Sequence, residues 1–385
     1  MVIEMSDETI IETEGLTYSY ANKVVALDGI SMTIPKGRKT VLLGPNGAGK
    51  STLFLQFNGI FKPKAGTVSF EGKEITYRHK DLDSLRSNVA VVLQNPDDQI
   101  FSATVEEDVA FGPMNMGLPR DEVELRVAES LSFVGMAQHR DRPTQQLSFG
   151  QRKRVSLAGA LAMKPKVLVM DEPTAGLDAQ MVHELLELAD ELNFKGLTVI
   201  MSTHDVETAY GWADEIRVLD RGRMIYSGDP NGFFADAGQV RRLGLSVPMM
   251  FEMNRELSDR SVRPLKPYPR TTLELAQKFA PYGALRGSLR LFPAEELPDR
   301  QGTMQPDIMN RHSVTGIYGA VARRLMKERC IGVDYGFDAL ENCIHDVIVG
   351  KNATIFAERA LFPLIGSRLE KFHRDYGIDI RPETG

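Results

Sequence analysis

An α/β fold follows from three features of the 385-residue chain. Short unbroken apolar runs, VAVVL at 89–93, VLVM at 167–170 and TVIM at 198–201, have the character of strands covered on both faces. Amphipathic stretches at 51–59, 120–135, 150–163 and 179–194 alternate with them, and strands alternating with helices predict a sheet clad by helices. The glycine-rich GPNGAGKST at 44–52 stands between an apolar run and a helical pattern, the context a phosphate-binding loop requires.

Taken in order, residues 24–34 and 38–43 are rich in β-branched and apolar residues and are separated by a PKG turn, so both predict strands. The helical stretch from about 104 to 163 is long enough for a subdomain of its own. After roughly residue 230 the pattern changes. Residues 246–306 are rich in Pro and Met, with SVRPLKPYPR and LFPAEELPDR, and predict a linker or irregular docking surface. Regular pattern returns from about 314 and predicts a second, smaller α/β or α+β unit. The expected division is a nucleotide-binding domain over 1–240, a linker over 241–310 and an accessory domain over 311–385.

Composition narrows the function classes. With 42% apolar and 25% charged residues the chain is expected to fold as a globular protein. A net charge of −6 and a pI near 5.8 leave no footprint for nucleic acid, and the cluster Arg152, Lys153 and Arg154 reads as a solvated helix face. Cys330 and Cys343 are too few for a disulfide framework, which fits a reducing, cytosolic compartment. The N-terminus is acidic where a secretory leader would be basic, and no apolar run approaches the ~18 residues of a spanning helix. A membrane role would have to come through a partner.

The chemistry concentrates in five places. In GPNGAGKST, Gly44, Gly47 and Gly49 let the backbone curl so that its N–H groups face phosphate oxygens, and Pro45, Asn46 and Ala48 complete the loop. Lys50 then meets the β and γ phosphates, the hydroxyl of Ser51 ligates Mg²⁺, and Thr52 follows. KVLVMDEPTAGLD at 166–178 delivers Asp171 and Glu172 to the carboxyl end of a buried strand, where α/β sheets bind ligands. Asp171 can hold the metal directly or through water, and Glu172 can act as general base. Taken singly, the pair could merely cap a helix before Pro173, His204 could be an ordinary polar residue and Gln94 a loop glutamine. Beside the phosphate loop, His204 reads as a γ-phosphate contact and Gln94 as a ligand of metal or water. LSFGQ at 147–151 reads as a second phosphate-binding turn, although one nucleotide needs only one.

GPNGAGKST, the glutamine of VVLQNPDDQIF, LSFGQRKR, VLVMDEP, TAGLD and STHD occur in the order found in ATP-binding-cassette ATPases, and over roughly residues 10–230 the chain resembles that family. The resemblance implies a P-loop NTPase cassette with a RecA-like core, an antiparallel β subdomain and a helical subdomain. It further implies head-to-tail pairing with a second ATPase copy, identical or a paralogue, each ATP lying between one copy's loop and the other's serine turn. Ser148, Gly150 and Gln151 would then serve the partner's nucleotide, and Asp178 would communicate across the seam. Tyr20 resembles the aromatic that stacks on adenine, with Tyr18 the weaker choice. Phe149 stands where the family usually has glycine, so its side chain must point away from the nucleotide.

QNPDDQIFSATVEEDVAFGP at 94–113, with LSFGQRKR, is similar to ATPases of energy-coupling-factor importers, especially the cobalt and nickel group, with vitamin importers of the same class close behind. That implies a peripheral protein at the cytoplasmic face of the membrane, paired with a transmembrane scaffold and a substrate-binding membrane protein. Phe101, Val105, Val109 and Phe111 are candidates to line the scaffold's groove. A soluble, non-transport ATPase is the alternative, but such proteins usually carry two cassettes or a long coiled-coil insertion, and neither is seen. In the tail, Cys330, Cys343, His312, His345 and His373 invite a metal sensor. Cys343 and His345 are neighbours that would not face each other on a helix, so buried free thiols in a regulatory or dimer-stabilising domain are expected.

Overall fold

The computed structural model describes residues 8–281, 287–297 and 313–384. The chain divides into two compact units, one formed by residues 1–177 with 192–249 and the other by 178–191 with 250–385.

The first unit begins with β1 (Thr9–Ser19), β2 (Val25–Pro35), β3 (Lys39–Leu43), α1 (Lys50–Phe57), β4 (Ala65–Phe70), β5 (Lys73–Glu74), α2 (His79–Asn88) and β6 (Val89–Val92). There follow α3 (Val105–Asn115), α4 (Arg120–Phe133), α5 (Phe149–Ala162) and β7 (Val167–Met170). After α6 (Ala179–Phe194), most of which groups with the second unit, come β8 (Thr198–Thr203), α7 (Val206–Trp212), β9 (Glu215–Asp220), β10 (Arg223–Gly228), α8 (Pro230–Ala235) and α9 (Ala237–Arg242). Strands β2-β1-β4-β5 form an antiparallel sheet. Strands β10-β9-β3-β8-β7-β6 form a second sheet, parallel except at β10. Every residue of β7 and β8 is buried, which is why their sequences are unbroken apolar runs rather than alternating ones. One buried cluster joins Ile11 and Leu16 of β1, Ile30 of β2, Phe54 and Phe57 of α1, Val169 of β7 and Ile200 of β8.

The helical part departs from expectation at two points. Thr104 caps α3 in a reciprocal box with Glu107, which fixes the helix so that Val105 and Val109 are fully buried. They are core residues, not groove lining. Phe101 and Phe111 remain 64% and 47% exposed and meet edge to face at 4.6 Å, with Met114 exposed nearby on α3. Nor is the basic cluster on α5 a solvated face. Lys153 is buried, Arg152 pairs with Asp97 at 2.7 Å, and Arg154 donates to the carbonyl of Val134 at 3.1 Å. All three cations are committed to backbone or carboxylate partners rather than to water.

The second unit contains α10 (Met249–Ser261), α11 (Thr272–Phe279), β11 (Leu289–Pro293), β12 (Ser313–Tyr318), α12 (Ala320–Arg329), α13 (Ala339–Ile348), β13 (Asn352–Ala357), α14 (Phe362–Tyr376) and β14 (Glu383–Thr384). Its strands, ordered β12-β13-β11-β14, are all parallel, so of the two fold types expected here the α/β one is observed. The stretch read as an irregular linker over 241–310 instead holds α10, α11 and β11. The helical period of α10 was hidden because its buried face carries Asn254 and Ser258 beside Phe251. Lys278 Nζ donates to Asn254 Oδ1 at 2.6 Å, while Asn254 Nδ2 donates to the carbonyl of Leu265 at 3.0 Å. Polar residues thus do there what apolar ones usually do.

Cys343 is buried and Cys330 exposed, so only one thiol follows the expectation. At Gly316 of β12 a side chain would lie 2.9 Å from Cys343 Sγ, so the missing Cβ lets α13 settle on the sheet. That burial pushes the Cys343 thiol up to about 12, which keeps it protonated at neutral pH. His345 is exposed and His312 lies outside the described residues. Among the described residues no cluster of three or more His, Cys, Asp or Glu could hold a metal ion, and no helix is long and apolar enough to cross a membrane.

Segment 178–191 is held in this unit by charge. Glu187 Oε1 accepts from the Gly319 N–H at 2.5 Å and from Arg323 Nη2 at 2.7 Å, and Glu191 Oε2 accepts from the Ala320 N–H at 3.1 Å. Arg368 pairs with Asp190. The carboxylates thereby occupy the amino end of α12, where the helix dipole favours anions.

Candidate active site

The parallel sheet gathers the predicted residues at one edge. Register pairs Leu43 with Thr203, Met170 with Met201 and Val92 with Met170, so β3, β8, β7 and β6 all end at the same carboxyl side. From these ends emerge the loop 44–49, His204, the pair Asp171 and Glu172, and Gln94, which is exposed. A ligand on this edge would meet all four.

The loop is shaped by residues without side chains. Gly47 and Gly49 hold φ at 80° and 104°, and a Cβ at Gly49 would lie 2.5 Å from the carbonyl of Ala26, so no other residue fits there. Helix α1 starts directly at Lys50, so its free amide groups face the loop. Lys50 is 6% exposed. Its Nζ donates to the carbonyls of Gly44 at 2.7 Å and Pro45 at 3.2 Å, and lies 3.2 Å from Glu172 Oε1. Ser51 is exposed at the loop, while Thr52 is buried and its Oγ1 shares a 2.7 Å hydrogen bond with the Tyr20 hydroxyl. Tyr20 meets Phe61 edge to face at 6.0 Å and stays 38% exposed. Tyr18 instead stacks flat on Phe61 at 4.9 Å and is only partly exposed.

Asp171 and Glu172 are each 5% exposed at the end of β7. Ser202, the fifth residue of β8, donates from Oγ to Asp171 Oδ1 at 2.5 Å and accepts from the Glu172 N–H at 2.9 Å. Sequence reasoning missed it. Along the chain it is one of three hydroxyls in TVIMST, and only the structure brings it beside the carboxylate pair. Glu172 adopts a left-handed φ of 43°, a conformation that costs a non-glycine residue about 1–2 kcal/mol and that surrounding bonds must impose. Its Oε2 lies 3.0 Å from His204 Nδ1, so one carboxylate bridges Lys50 and His204. Asp205 caps α7 by accepting from the Glu207 and Thr208 amides, which fixes the backbone next to His204.

The serine turn is a helix start. Ser148 caps α5, with the Gln151 N–H donating to Ser148 Oγ at 3.3 Å and the Ser148 N–H donating to Gln151 Oε1 at 2.9 Å. Gly150 is buried in the first turn. Among the described residues no hydrogen bond or ion pair joins this turn to loop 44–52 of the same chain. Asp178 likewise caps its own helix, accepting from the Met181 N–H at 2.8 Å. Behind the turn, burial pushes the Lys153 ammonium down to about 8, against the opposing pull of Glu172.

A family model for ABC transporters matches residues 27–175. The energy-coupling factor transporter ATP-binding protein EcfA2 of Methanospirillum hungatei is 36% identical over 95% of this chain and 94% of its own length. The chain belongs to the energy-coupling factor family of ABC ATPases. A second member, EcfA of Methanocaldococcus jannaschii, is 47% identical over 67% of this chain and 92% of that relative. Among solved structures, cbiO1 of Clostridium perfringens, part of the ABC transporter complex cbiONQ, is 45% identical, with a TM-score of 0.55 over 62% of this chain and 95% of that one. This ATPase therefore has the cassette fold expected of it, and hydrolysis of ATP is its reaction.

Proposed function

We propose that the chain is the ATP-hydrolysing subunit of an energy-coupling-factor importer, closing on a second ATPase copy around two ATP molecules and opening after hydrolysis. The observation that carries this is the Glu172 carboxylate, buried at the phosphate loop and held between Lys50 and His204. Glu172 takes a proton from the water whose oxygen attacks the γ-phosphorus, while His204 and Lys50 hold the phosphate oxygens and ADP leaves. Ser202 keeps Asp171 and Glu172 in fixed relation during the step. The donor set of Ser51 hydroxyl, Asp171 carboxylate and Gln94 amide is all oxygen, which suits a hard cation such as Mg²⁺. That ion supplies charge neutralisation at the β and γ phosphates. Tyr20, 38% exposed, offers its ring to adenine, and Ser148, Gly150 and Gln151 complete the partner's pocket.

The membrane partner docks on the exposed pair Phe101 and Phe111 with Met114. Phe111 and Met114 of α3, with Phe101 just before it, are left open while Val105 and Val109 of the same helix are buried, and such an exposed apolar patch marks a docking surface. Changing both to serine is expected to release the chain from membranes co-expressing the scaffold, weakening association about tenfold or more. ATPase activity of the detached chain should persist. Retention on the membrane at the unmodified level would count against this surface.

The cargo we infer is cobalt or nickel ion, supported by the resemblance of the 94–113 segment to that group of importers. The test is uptake into vesicles holding the chain with its co-purified membrane components. ATP-dependent accumulation of labelled cobalt or nickel is expected, and accumulation of a vitamin with no metal uptake would reassign the cargo.

A further inference from the structure

Phe149 and Lys153 stand one turn apart on α5, and both reach segment 172–176 of their own chain. The Phe149 ring fills the space over Gly176, where an added Cβ would lie 2.9 Å from ring carbon Cε1. Gly176 has φ 74°, so the segment turns there without a side chain and accepts the ring. Lys153 Nζ sits 5.3 Å from the centre of the same ring. It donates to the carbonyls of Glu172 at 3.3 Å, Pro173 at 2.9 Å and Ala175 at 2.6 Å, which exhausts its three protons.

Lys153 is 8% exposed, and burying an ammonium is costly when an apolar chain of similar length could fill the volume. What the ammonium supplies and an apolar chain would not is a grip on backbone. That backbone carries Glu172 in its left-handed conformation. One turn earlier on the same helix is Ser148.

We propose that Phe149 and Lys153 are positioning residues, forming a clamp within one chain that ties the serine turn to the backbone of that chain's own Glu172. The proposal rests on the reading that the serine turn serves the partner's ATP. On that reading, filling one pocket of the pair sets the base in the other. The phenylalanine that replaces the family's usual glycine then has a task, because a glycine there would leave Gly176 uncovered.

The test uses the full chain in mixed pairs carrying two affinity tags. In the uniform K153M pair, kcat is expected to fall about ten- to a hundredfold while the KM for ATP stays within about twofold. Placing K153M and E172Q on the same chain, beside an unmodified one, should keep the turnover of a pair carrying E172Q alone. Placing them on opposite chains should lower it, because the only working Glu172 then lacks its clamp. Equal turnover in the two arrangements, the reverse order, or a raised KM with unchanged kcat overturns the clamp. If K153M does not fold, F149G goes through the same two arrangements with the same expected order. A failure of the E172Q chain itself to pair in ATP is a separate result and sinks the shared-pocket reading instead.

Discussion

Glu172→Gln is expected to cut kcat by about 10²–10⁴-fold while ATP still binds and the closed pair accumulates. Glutamine keeps the length and shape of the side chain, so Lys50 at 3.2 Å and His204 at 3.0 Å retain a partner in the same place. What is lost is a basic oxygen at the one position where a proton must be taken from water. Binding rests on other groups: the loop amides, Lys50 and the end of α1. The backbone at 172 is imposed by Ser202 and Lys153, neither of which touches the exchanged atoms. Single-turnover hydrolysis and size-exclusion chromatography with and without ATP separate the two effects. Hydrolysis at the unmodified rate would remove Glu172 from the role of base. Loss of ATP binding together with hydrolysis would mean that the carboxylate chiefly keeps Lys50 in place.

The site was legible because its chemistry uses residue types in fixed local order. GPNGAGKST contains both the turn and the charge, and VLVMDE contains both the buried strand and the carboxylates it delivers. Central strands β7 and β8 announced themselves through unbroken apolar runs. Strands β1 and β10 did not, since each has a half-exposed face and carries charged or polar residues between its apolar ones. Ser202 and Lys153 were hidden for another reason. Their roles exist only across register and between helix and turn, and no spacing along the chain encodes that a serine on β8 faces a carboxylate on β7. A run of three basic residues suggested solvent, yet the fold supplies carbonyl oxygens to Lys153 and Arg154 and a carboxylate to Arg152. The second unit was harder still. Its α10 buries Asn254 and Ser258, and its hold on 178–191 is ionic, so apolar periodicity carried little of either.

That ionic hold gives the other large effect. Arg323→Met is expected to destabilise the second unit by about 2–4 kcal/mol, since removing one member leaves a buried carboxylate without its cation. Glu187 and Glu184 are only 11% and 13% exposed beside Arg323, and Arg323 also donates to the carbonyl of Gly336 at 2.6 Å. Burial already raises the Glu187 pKa above 4.5 even with Arg323 pulling it down, so loss of the guanidinium raises it further. The sign of the pH dependence follows. A carboxyl whose folded pKa is raised loses stability as pH rises through that pKa, and at acid pH, where folded and unfolded forms are both protonated, the cost vanishes. The deficit of the variant should therefore shrink as pH falls toward the ordinary carboxylate range and grow as pH rises. Adding Glu187→Gln should recover most of the loss at neutral pH, because the amide oxygen can still accept from the Gly319 N–H without a charge. Thermal unfolding of the full chain across pH reads both effects. A variant as stable as the unmodified chain at neutral pH would show that Arg323 is not what neutralises Glu187.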